Sequence, residues 1–103
     1  MSTIRIKADK RKNGIRIRAG MIHPMETGKR KDKKTGEKIP AHFIQEVVGK
    51  VNGEEVITIH WGPAVSKDPY LTFWCKKGSI GDEVEITWTD NKGNKDSKTT
   101  KVK

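Results

Sequence analysis

Four groups of side chains in this sequence could do chemistry. His23, His42 and His60 could ligate a metal, but they lie far apart and share no local ligand spacing. The expectation is therefore loop and edge-strand histidines that satisfy their own hydrogen bonds, with no metal and no cofactor. Cys75 could be a nucleophile if a histidine lay beside it. It is the only cysteine, so it forms no intrachain disulfide, and it has no neighbours at zinc-site spacing. Glu26, Glu37 and the pair Glu54-Glu55 could supply acid/base carboxylates, yet they sit among lysines, which keep a carboxylate ionised. The run from Lys29 to Lys38 could hold phosphates by counterion release. It lacks the interleaved aromatics on which single-strand binders stack bases, and it reads as a solvated loop.

The elements that must position these groups follow a period of two. Thr3-Ile4-Arg5-Ile6-Lys7-Ala8 alternates apolar and polar, as a half-buried strand does. Ile15 to Met21 repeats the pattern, with Ile15, Ile17, Ala19 and Met21 toward the core and Arg16 and Arg18 toward solvent. Lys10 to Gly14 is a turn between them, with Asn13-Gly14 supplying left-handed conformations. His23-Pro24 interrupts pairing because proline has no N–H to donate. A polar excursion runs from Thr27 to Lys38, and strand character resumes over Ala41 to Val51. Asn52-Gly53 is a strong hairpin signal, leading into Glu54 to Trp61.

Beyond a proline-bracketed connection, Tyr70 to Lys76 is a strand with Leu71, Phe73 and Cys75 on one face. Cys75 on that face is expected to be a buried, inert small hydrophobe. Glu83 to Asp90 alternates with Val84, Ile86 and Trp88 inward, and Lys95 to Val102 closes the chain. About seven strands and almost no helix predict an antiparallel β-sandwich of immunoglobulin-like or fibronectin-like type, formed by residues 1–103 as one domain. The Cys…Trp…Cys signature of antibody domains is absent.

With 22 Lys and Arg against 13 Asp and Glu, the net charge is +9, which attracts acidic partners. No apolar run is long enough to cross a bilayer as a helix. Met1 to Lys7 has no apolar h-region, so no signal peptide is expected there.

Several stretches together resemble one family. They are His23-Pro24-Met25-Glu26-Thr27-Gly28, Arg30-Lys31-Asp32 and Ile39-Pro40-Ala41-His42-Phe43-Ile44. Trp61-Gly62-Pro63-Ala64, Pro69 to Phe73, Lys77-Gly78, Gly81-Asp82 and Trp88 to Gly93 continue the likeness in order. The family is SoxZ, the non-catalytic half of the SoxYZ carrier of bacterial thiosulfate oxidation. The resemblance implies an immunoglobulin-like sandwich that pairs with SoxY as a heterodimer and transiently meets other Sox enzymes. It implies that the sulfur intermediate rides on a cysteine near the SoxY C-terminus. It further implies a periplasmic location reached by co-export with a signal-bearing partner. Lys98 to Lys103 contain no glycine-flanked cysteine and Cys75 lies in mid-strand, so Cys75 is not expected to inherit the carrier role.

No membrane and no specific nucleic acid are expected as partners. The competing readings are a basic nucleic-acid-binding sandwich, and a small enzyme using Cys75 or a histidine-bound metal. The partner surface is expected at Tyr70 and Trp74, which alternation turns away from the core, with His60 and Trp61 as further candidates. The alternative is that the Lys29–Lys38 excursion folds over Tyr70 and Trp74.

Overall fold

The computed structural model describes residues 3–103. Met1 and Ser2, which begin the segment read above for a signal peptide, lie outside the described residues. The strands are β1 (Ile4–Arg11), β2 (Gly14–Met21), β3 (Ile44–Val51), β4 (Glu54–His60), β5 (Tyr70–Cys75), β6 (Glu83–Asp90) and β7 (Lys95–Lys101). The described residues contain no helix. One sheet has the order β1-β2-β5 and the other β4-β3-β6-β7, and every pairing is antiparallel. The fold is thus the all-β sandwich that the alternation predicts. Its fourth strand joins the sheet of the third, whereas the constant-type immunoglobulin arrangement keeps it with the first two.

The period of two explains the core. Ile4, Ala8, Ile15, Ile17, Ala19 and Met21 line the inner face of the three-stranded sheet. Ile44, Val47, Val51, Val84, Ile86 and Trp88 oppose them from the four-stranded sheet. Gly49 also faces inward. A Cβ there would lie 2.7 Å from Ile57 Cγ2 and 3.0 Å from Phe73 Cζ, so the glycine makes room for the Phe73 ring.

Three local expectations need correction. The strand expected from Ala41 begins only at Ile44, because Ala41 to Phe43 bond elsewhere. His42 bridges Glu26, and Phe43 exchanges bonds with Asn91. In the β1–β2 turn the positive φ belongs to Gly14 (132°) and not to Asn13, whereas Asn52 (52°) and Gly53 (81°) are both left-handed as expected. Cys75 is only half-buried. It lies on the inner face beside Phe73, but β5 is an edge strand, so its inward side chains are covered from one flank only.

The body is 52 Å long and 22 Å across. The backbone of Lys103 bonds Ala8 and Lys10 at 3.0 and 2.8 Å, seaming the two sheets along β1. β4 and β5 are left as free edges on the other side.

Candidate functional site

Both long connections, residues 22–43 and 61–69, and the β6–β7 turn, residues 91–94, lie at one end of the sandwich. They contain most of the stretches that carry the family likeness. They are held together by one carboxylate.

Asp90 ends β6, and its side chain is fully buried. Its Oδ1 accepts the backbone N–H groups of Lys92 (3.0 Å) and Asn94 (2.8 Å), which shapes the turn. Its Oδ2 accepts from His23 Nε2 (3.0 Å), His42 Nε2 (2.7 Å) and Asn94 Nδ2 (3.1 Å). An ionised carboxylate offers about four lone-pair sites, so this one is saturated. Burial pushes the Asp90 carboxyl up, but bonds from His23, from Asn94 and from His42 together outweigh it. They hold the group well below the usual carboxylate range. Asn91 completes the clasp: Nδ2 donates to Ala41 O at 2.8 Å, and Oδ1 accepts from Phe43 N–H at 2.8 Å.

His23 is almost fully buried, with its ring edge-on to Trp88 at 5.1 Å. Its Nδ1 accepts the Met25 backbone N–H at 3.1 Å. Nδ1 therefore holds no proton, and Nε2 must carry one and donate it to Asp90. Met25 is held at φ 48°, which is unusual for a long side chain. The His23 bond and the acceptance of Ile44 N–H by Met25 Sδ at 3.3 Å both fix it. His23 also exchanges bonds with Asp68, N–H to Oδ1 and O from N–H, both at 3.0 Å. Pro69 O accepts Met21 N–H at 2.9 Å. The clasp thereby fixes where β5 begins, and Tyr70 with it.

His23, His42 and Asp90 bring three ligand atoms within 4.8 Å of one another, a convergence that sequence spacing did not reveal. The number of ligands suits a metal, but the tautomer does not. Nε2 of His23 can offer a lone pair only if its proton moves to Nδ1, where it meets the Met25 N–H. Nor is this a catalytic dyad open to substrate, since both His23 nitrogens are engaged and the ring is 3% exposed. The signal that could have found the cluster is Asp90-Asn91-Lys92-Gly93, a turn whose aspartate caps its own backbone.

His60 is not part of the cluster. It is exposed at the end of β4, on the outer face of the four-stranded sheet. Trp61 is half-buried and packs against the core. Tyr70 (63% exposed) and Trp74 (53%) share the outer face of the three-stranded sheet. Tyr70 and Trp74 therefore share one outer face, His60 lies on the opposite one, and Trp61 sits beyond β4 against the core. The Lys29–Lys38 excursion forms its own small hairpin, bridged at Lys31 and Lys38, and leaves both aromatics uncovered. Glu26 is ionised and paired with Arg30 at 2.7 Å.

This architecture defines a class: an all-β sandwich whose loops at one end are gathered on a buried aspartate. Comparison with known families gives the particular one. The model of the family described as "Sulphur oxidation protein SoxZ" matches residues 4–101, and the chain belongs to that family. Membership implies a role in the Sox system of sulfur oxidation. No curated protein matches the chain.

Proposed function

We propose that this chain is the non-catalytic binding subunit of a SoxYZ-type carrier, pairing with SoxY in the periplasm. Export together with a signal-bearing partner is part of this reading. In it, SoxY carries the sulfur intermediate, and this chain supplies a rigid surface for pairing and for presenting the carrier to other Sox proteins. The observation that carries the pairing is the uncovered Tyr70–Trp74 face. Two large aromatics on one sheet face, next to a free strand edge, are the kind of surface that a partner buries. The clasp supports this role by fixing the loop that delivers Tyr70.

The test is titration of the chain against SoxY, with co-purification from the native host to identify the partner. A stable stoichiometric complex is expected. Failure to associate at micromolar concentration would reject the pairing.

A further inference from the structure

The outer face of the three-stranded sheet carries more charge than it neutralises. At its far end Asp9 pairs with Arg11 and with Arg16, the latter at 3.3 Å. Toward the clasp end, Arg5, Lys7 and Arg18 have no carboxylate or other side-chain partner among the described residues. Lys7 and Arg18 are directly opposite each other in the β1–β2 register. Like charges in that position repel and destabilise a sheet. Arg5 is opposite Gly20, which places it diagonal to Arg18. The Nε atom of Arg18 is buried without a hydrogen-bond partner, which is a costly state for a polar group.

These residues enclose space. Arg5, Lys7, Arg18, Gly20 and Tyr70 line a shallow depression of about 340 Å³. Gly20 leaves its floor open, and the Tyr70 ring stands beside it, 3.6 Å from where a Cβ would be. Arg18 also borders a second depression, of about 320 Å³, whose lining includes Lys101 and Lys103 as well as the already paired Asp9. Three long cationic side chains rooted about 5 Å and roughly 7–8 Å apart can converge on one small anion. A local violation of pairing rules that nothing among the described residues compensates is what a ligand site looks like before its ligand arrives.

We propose that Arg5, Lys7 and Arg18 form a binding site for a tetrahedral oxyanion, with the Arg18 guanidinium as its centre. An anion with several oxygens on one centre matches three donors that are not collinear, and arginine can bond two of those oxygens at once. The oxyanion class stands on these charges alone. Its identity as a sulfur oxyanion rests on the function proposed above. The anion is either free in solution or the charged tip of a group borne by a partner, and both share this chemistry.

The experiment is an NMR titration of the whole chain at constant ionic strength with thiosulfate, for a free dianion, and with methanesulfonate, for a carbon-linked tip. Saturable shifts are expected at Lys7, Arg18, Gly20 and Tyr70. Tighter thiosulfate binding assigns the free ion, and equal or tighter methanesulfonate binding assigns the carried group. Arg18→Gln and Lys7→Gln should each weaken binding about tenfold or more, as loss of a charge-assisted donor does. Lys33→Gln and Lys34→Gln in the excursion should change it less than about twofold, as exposed and screened charges do. Thermal unfolding gives a second readout. Without anion, Arg18→Gln should be at least as stable as the parent, because a like-charge pair is removed; with thiosulfate it should gain less. Unchanged affinity in Arg18→Gln, or shifts centred on the Lys29–Lys38 excursion, would overturn the site. A chain that binds thiosulfate but not SoxY sinks the proposed function alone. A chain that pairs with SoxY but binds no oxyanion at Arg18 sinks this site alone.

Discussion

Asp90 accepts bonds from three side chains and two backbone amides, so its charge organises the end of the molecule. Asp90→Asn keeps the shape but removes the charge and turns one acceptor into a donor facing N–H groups. It should destabilise the fold by about 3 kcal/mol, measured by denaturant unfolding. The pH dependence follows from the same bonds. The Asp90 carboxyl lies lower in the folded state than its unfolded value of about 3.9. Its contribution is therefore complete above about pH 4 and is lost as pH falls from there toward the folded value. Stability curves of parent and Asp90→Asn should converge below about pH 4; parallel curves would show that Asp90 is not the titrating group. The His23 tautomer makes a further claim. Equimolar zinc should leave the melting temperature unchanged, and a rise that His23→Ala or His42→Ala abolishes would show a metal centre. Cys75→Ser should leave the proposed SoxY pairing intact with a modest stability loss, since Cys75 is half-buried and its Sγ bonds Lys77 O at 3.0 Å.

Among the strands, β5 joins the core to the proposed partner face. Its inward residues Leu71 and Phe73 pack on the core, and its outward residues Tyr70 and Trp74 meet solvent. Trp74→Ala should weaken pairing with SoxY by about 2 kcal/mol while costing the free chain much less, because the indole is not part of its core. Unfolding of the free chain with unchanged affinity in the surviving fold would place Trp74 in the core instead. Much of this is legible in the sequence, because alternation reports facing directly: it turns Ile15, Ile17, Val84 and Ile86 inward, and all four are fully buried. The Asn52-Gly53 hairpin was legible for the same local reason. The histidine–aspartate clasp was not. Its bonds join residues 23, 42, 68 and 90, and no local period carries information about partners so distant. The late start of β3 was hidden for the same reason, since Phe43 looks like a strand residue until Asn91 claims its N–H. The face proposed to bind an oxyanion lies between these cases: alternation turns Arg16 and Arg18 to solvent, but only the register with β1 sets Lys7 against Arg18.

The whole molecule carries a charge of +9 without base-reading groups, so it should bind DNA weakly and without sequence preference. A filter-binding series should show retention vanishing toward physiological salt. Tight, sequence-selective binding in about 0.2 M salt would instead favour a nucleic-acid protein. The elongated body also has a mechanical consequence. β1 starts at the clasp end, and Lys103 lies parallel to it at the other, bonded to Ala8 and Lys10. A load applied between Thr3 and Lys103 therefore runs along the strands and not across them. The bonds of the β1–β2 ladder and of the Lys103 seam take that load in shear, all together, so none can be peeled first. Pulled from these two points, the domain should yield in one abrupt event at high force. Pulled across the strands, from Trp74 and Arg11 on opposite edges of one sheet, it should open bond by bond at much lower force.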